Sequence, residues 1–233
     1  MCGVAGIVNR DGRPVERATV ERMTDAIAHR GPDGEGQYVD GAVGLGNRRL
    51  AVIDLSPAGA QPMQNERGDV TITYNGEIYN FRELRAELES AGRRFRSRSD
   101  TEVVLQAYEE WGPAFVERLN GMFAFAIWDA GARTLLLARD RYGVKPLYTT
   151  QIGDTFLFAS EIKSFLVHPE FGVACSARVL HVPEHLLGRD ALPRRHASST
   201  RPYVDGAVER VGARASPLLG LRLRREEQRR LGR

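Results

Sequence analysis

Residues 122–129, MFAFAIWD, open on MFAFAI, a run apolar at every position. A strand with one wet face alternates apolar and polar side chains, so an unbroken apolar run reads as a strand covered on both faces. That demands a layered fold, with a sheet held between other sheets or helices. Further segments rich in β-branched or aromatic residues and bounded by Gly, Asp or Asn read as strands: GVAGIV (3–8), GLGNRRLAVIDL (44–55), VTITYN (70–75), TLLLARD (134–140) and TFLFAS (155–160). Helical spacing of apolar residues predicts helices over 15–29 (Val20, Met23, Ile27), 81–91 (Phe81, Leu84, Leu88, stopped by Gly92) and 101–111 (Val104, Ala107, Tyr108, Trp111).

With 42% hydrophobic residues in 233, the chain has material for one or two cores, which excludes disordered and collagen-like classes. No apolar stretch approaches the roughly 20 residues of a bilayer helix, and the start MCGVAGIVNRDG lacks the pattern of a secretory signal, so no membrane is expected and the expected compartment is the cytoplasm. Two cysteines, Cys2 and Cys175, are too few for a disulfide scaffold or a four-thiolate zinc site. No metal ligands are assigned.

The net charge of +3 is unevenly spread. Residues 171–233 carry 13 Arg, no Lys and six acids, a balance of +7, against −4 for residues 1–170. A basic tail can bind nucleic acid through counterion release, and such a tether would be salt-sensitive and lost on cutting after Glu170. Here Phe171 and Tyr203 are the tail's only aromatic residues, so the bases of a nucleic acid would find almost nothing to stack on, and nucleic acid is not an expected partner.

Cys2 follows the initiator Met, a position from which Met is normally removed when the next side chain is small. Removal leaves a thiol and a free α-amine on one residue. An α-amine of pKa about 7.7–8.0 is well matched to take the thiol's proton. The plainer role for Cys2 is a small apolar residue opening the first strand. Asn75-Gly76 offers a side-chain amide beside a backbone N–H, two neutral donors suited to an oxyanion, although Asn-Gly is also a common tight-turn dipeptide. Arg49 suits a clamp on a carboxylate, or a surface ion pair. Asp100 suits an anchor for an ammonium group, or it simply caps the helix that follows, since Ser99 with Glu102 three residues on spells a capping box.

Nine segments in order, CGVAGI, HRGPDG (29–34), RRLAVIDL (48–55), AQPM, NGEIYN (75–80), SDTEV, LNGMFAFAIWD, ARDRYGVKPLY and FASEIKS, resemble the N-terminal glutaminase domain of glutamine-hydrolysing asparagine synthetases. These are class II amidotransferases with the N-terminal-nucleophile hydrolase fold. The resemblance runs from Cys2 to about Pro169. It implies an α+β, four-layer α/β/β/α sandwich of two antiparallel sheets over residues 2–170. It implies that Cys2 attacks the glutamine side-chain amide, with Asn75 and Gly76 as oxyanion donors. Arg49 would hold the α-carboxylate, Glu77 and Asp100 the α-amino end, and Val52 would supply a backbone contact. No cofactor is implied for this half-reaction. ATP and Mg belong to a synthetase domain, a partner expected by resemblance whose SGGxDS loop does not occur here; homodimerisation is left open. An alternative reading is a fragment that binds glutamine without turning it over.

Residues 171–233 show no sustained period and read as an irregular, disordered tail. The codons available to Arg178–Ala197, read one nucleotide later, permit EYFTFQNIFSDATLFRGVT, and those of Leu219–Arg222 permit WDF. Both strings resemble the family's inter-domain segment. The expectation is therefore a frameshift within the codons for Phe171–Ala177, to be checked by resequencing the locus.

Overall fold

The computed structural model describes residues 1–171, and beyond them the backbone of two strands, 178–179 and 207–212. Cys175 and the remainder of the expected irregular tail lie outside the described residues.

Eleven strands are described, in two antiparallel sheets. The first contains β1 (Gly3–Asn9), β2 (Gly34–Asp40), β3 (Val43–Arg49), β8 (Tyr148–Ile152), β9 (Thr155–Ala159) and β10 (Arg178–Val179), ordered β10-β8-β9-β1-β3-β2. The second contains β4 (Met63–Gln64), β5 (Val70–Ile78), β6 (Gly121–Asp129), β7 (Thr134–Arg139) and β11 (Ala207–Gly212), ordered β11-β7-β6-β5-β4. The helices are α1 (Arg17–Asp25), α2 (Phe81–Ser90), α3 (Asp100–Trp111) and the short α4 (Lys163–Leu166). The tail's strands β10 and β11 take edge positions that its aperiodic sequence did not signal.

Strand alternation sorts the side chains into three cores and so into four layers. Val4 and Val8 of β1 and Val43 and Leu45 of β3 meet Ala124, Ala126 and Trp128 of β6 and Leu135 and Leu137 of β7 between the sheets. The intervening residues Phe123, Phe125 and Ile127 of β6 face outward and bury Leu84 and Leu88 of α2 and Val103, Val104 and Ala107 of α3. On the opposite outer face, Ala5 and Ile7 pack with Val20 and Met23 of α1 and Phe165 of α4. The apolar run of β6 thus carries two cores at once, as its composition requires. The order is helices, sheet, sheet, helices. Phe158 fills the space over Gly6 between the sheets: a Cβ there would collide with its ring.

The expected helix 15–29 is shorter: α1 ends at Asp25 and is followed by a single 3-10 turn, Ala28–Arg30. The expected strand 44–55 stops at Arg49, and the chain beyond it is a loop leaving Val52 and Leu55 largely exposed.

Candidate active site

The apolar interior between the sheets ends on one side of the sandwich, and the alternation that built it also selects what lines the end. Along β3, Val43, Leu45, Asn47 and Arg49 share the inter-sheet face, the side chain changing from apolar to amide to guanidinium. Along β5, Thr71, Thr73, Asn75 and Glu77 share it, since Ile72, Tyr74 and Ile78 face the helices. Carrying the β1 alternation one residue back from Gly3 puts Cys2 there too. A cavity of about 200 Å³ opens at this place. Cys2, Arg49, Val52, Asn75, Gly76, Glu77 and Asp100, all seven residues singled out in the sequence, line it.

The Cys2 thiol is half-buried against the residue that follows β3: Leu50 N–H donates to Sγ at 3.3 Å, and Sγ lies 3.5 Å from Leu50 O. Burial pushes the thiol above its ordinary pKa, more than the Leu50 N–H, the chain's terminal amine and the Arg49 guanidinium pull it down. A thiol in this state needs a base to become a nucleophile. Arg30 fixes the residue from behind, its Nε donating to Cys2 O at 3.0 Å and its Nη1 to Glu161 at 2.9 Å. In the chain that retains Met1, the Cys2 nitrogen is an amide. Met1 lines the cavity, and its Sδ accepts from the buried Lys145 ammonium at 3.2 Å.

Asn75-Gly76 is not a turn. Both residues lie inside β5, paired with Ala124 and Phe123 of β6. β4 covers only Thr71 and Ile72 of the other edge, so from Tyr74 onward that edge has no neighbouring strand. Alternation puts the N–H groups of Tyr74, Gly76 and Ile78 on it. Tyr74 N–H donates to Gln61 Oε1 at 2.7 Å and Ile78 N–H to Asp100 Oδ2 at 3.0 Å. Between two satisfied groups, Gly76 N–H is left to the cavity. Glycine is required there because a Cβ would lie 2.5 Å from Met122 O and 2.8 Å from the Tyr74 hydroxyl. The Asn75 amide nitrogen beside it is buried without a hydrogen-bond partner, a rare condition in folded proteins.

Arg49 is wrapped by the loop that the sequence mistook for strand: its Nη1 donates to Ser56 O at 3.2 Å and its Nη2 to Asp54 O. Gly59 makes room, since a Cβ there would meet Nη2. Asp100 opens α3, but the cap is Ser99, whose Oγ accepts from Thr101 N–H at 3.1 Å. The capping box does not form. Glu102 instead accepts from Arg96 N–H, Ser97 N–H and the Ser97 hydroxyl, folding the preceding loop. Asp100 Oδ2 is held by the Tyr74 hydroxyl at 2.7 Å as well as by Ile78, and burial raises its pKa against those hydrogen bonds. Gln61, Tyr74, Gly59 and Lys145 also line the cavity and were not singled out. The AQPM motif contained Gln61, but its place follows only from β4 starting as late as Met63, which leaves Gln61 just outside the sheet beside Tyr74. Among the described residues, no three His, Cys, Asp or Glu side chains are grouped to hold a metal ion.

Residues 1–193 match the profile of a family described as glutamine amidotransferase domain. The chain belongs to that family. Among curated relatives of this amidotransferase domain, asparagine synthetase [glutamine-hydrolyzing] 3 of Bacillus subtilis is 48% identical over 173 residues, 73% of this chain and 28% of the relative. Asparagine synthetase [glutamine-hydrolyzing] 2 of the same organism is 45% identical over 72% of this chain and 23% of its own length. The amidotransferase domain therefore spans about a quarter of these relatives. Among solved structures, glutamine phosphoribosylpyrophosphate amidotransferase from B. subtilis superposes with a TM-score of 0.65 at 23% identity, over 77% of this chain and 45% of that one, a likeness of fold. No described helix is long and apolar enough to cross a membrane.

Proposed function

We propose that this domain hydrolyses the side-chain amide of glutamine, once Met1 has been removed. Cys2 Sγ bonds to the amide carbon while the Cys2 α-amine takes the thiol proton. The carbonyl oxygen becomes an oxyanion between Gly76 N–H and the Asn75 amide. Collapse breaks the carbon–nitrogen bond, the α-ammonium returns its proton to the departing nitrogen, and ammonia leaves a thioester. Water then attacks that thioester, with the same amine as base, releasing glutamate and restoring the thiol. Arg49 holds the substrate α-carboxylate, Asp100 and Glu77 its ammonium, and the Val52 backbone closes the rim. This scheme uses only the chain's own groups and water.

The observation that carries the reading is the convergence of a thiol, a strand edge at Gly76 with no neighbouring strand, and an unpaired amide in one cavity of amino-acid size. In the same proposal the ammonia serves an ATP- and Mg-dependent conversion of aspartate to asparagine on a synthetase domain or subunit, in the cytoplasm, where the Cys2 thiol stays reduced. The names of the relatives support that reading. Treating purified protein with an electrophilic glutamine analogue tests the chemistry: mass should be added to a peptide beginning at Cys2 and be absent from Cys2→Ala. Glutamine binding with Met1 retained and no adduct would make the domain a binder without turnover.

A further inference from the structure

The edge of β5 is left open at one residue, and side chains rather than a strand keep it so. At Tyr74, Gln61 Oε1 accepts the N–H at 2.7 Å and Asn47 Nδ2 donates to the carbonyl at 3.3 Å, so two side chains imitate a neighbouring strand for a single residue. Gln61 is itself fixed on both atoms: Asn47 Nδ2 donates to its Oε1 at 3.2 Å, and its Nε2 lies 3.4 Å from Thr101 Oγ1. Asn47 Nδ2 also reaches Thr73 Oγ1 at 3.1 Å, whose hydroxyl donates to Gly46 O at 3.0 Å. Asn47, Gln61, Thr73 and Thr101 are all buried. This polar bridge joins the two sheets beside the cavity, which Gln61 and Thr101 line, two residues from Gly76.

We propose that Gln61 is a positioning residue for the oxyanion site: by holding the Tyr74 backbone in strand geometry at the edge of β5, it aims the Gly76 N–H and the Asn75 amide at the reacting oxygen. This inference rests on the proposed hydrolysis. Without Gln61, the Tyr74 N–H loses its acceptor in a buried place and must be satisfied by water or by a rotated peptide. That N–H belongs to the 73–74 peptide, and turning it changes φ of Tyr74, which redirects the following two residues and with them both donors.

Gln61→Leu and the shorter Gln61→Asn test the role, each measured by ammonia release from glutamine and by alkylation of Cys2 with iodoacetamide. Alkylation displaces iodide and forms no oxyanion, so it reports the thiol and its base without the donors. The expected result is a kcat for glutamine lower by about tenfold or more, less than loss of a whole donor, with KM within about threefold and the alkylation rate unchanged. A folded variant with the parental kcat overturns the inference, as does loss of kcat and alkylation together, which marks general disruption. If Gln61→Leu fails to fold, Gln61→Asn decides. A parental protein that releases no ammonia removes the reading of the site and the positioning role together. Turnover by the parent with equal turnover by both variants removes only the latter.

Discussion

Truncating Asn75 to alanine should separate activity from stability, because the amide nitrogen is buried yet bonded to nothing in the described structure. Leaving such a donor unpaired costs the folded state about 1–3 kcal/mol. Alanine removes that penalty and gives up few apolar contacts, so stability should hold or rise, at about 2–4 °C in Tm per kcal/mol for a chain of this size. In the oxyanion role the same nitrogen contributes about 3 kcal/mol to the transition state, or about a hundredfold in kcat at about 1.4 kcal/mol per decade. Calorimetry and ammonia release on the same preparations read both quantities. Parental kcat would refute the donor role. A fall in Tm of more than about 5 °C would show that the amide makes native bonds, since no buried partner is otherwise lost.

Three further outcomes follow from particular contacts. Gly59→Ala should push the Arg49 guanidinium out of its seat and raise KM for glutamine about tenfold, the worth of a charge-assisted hydrogen bond, with kcat nearly unchanged; an unaltered KM would show that Arg49 does not bind substrate. Burial acts to raise Glu161, but hydrogen bonds from Arg30, Lys163 and His29 outweigh it and lower its pKa from 4.5 to about 2. Its contribution to stability is therefore present above about 4.5 and lost as pH falls towards 2, so the Tm difference between the parent and Glu161→Gln should shrink across that window; a difference independent of pH contradicts the ion cluster. Asp100 has the opposite sign, because burial raises its folded pKa. Its ionised form costs stability as pH rises through that value, so Asp100→Asn, still able to accept from Tyr74 and Ile78, should gain Tm at pH 7 relative to pH 3, and a relative loss at pH 7 would refute this.

The sequence made the interior of the domain legible where one side chain had one job. The helix at 81–91 appears as Phe81–Ser90, that at 101–111 as Asp100–Trp111, and the strand at 122–129 as β6, one residue longer at Gly121, because their apolar spacing is the packing itself. Strand β2 was missed because it is an edge strand of half-exposed residues with little apolar alternation. β4 and β8 are short and carry weak signals of the same kind. The error at 50–55 is more telling: Leu50, Val52, Ile53 and Leu55 look like a strand, yet they form the loop that wraps Arg49 and rims the cavity. Apolar residues there are exposed at a site, where local pattern and fold part company. The candidate residues were legible as motifs, but their convergence needed the parity of β1, β3 and β5, and the open edge at Gly76 needed the late start of β4 at Met63.

The most direct test of the central claim is the release of ammonia and glutamate from glutamine by protein whose first residue is verified as Cys2. Equal amounts of the two products, abolished in Cys2→Ala, are predicted. Release that survives Cys2→Ala, or none from the verified parent, would contradict the account.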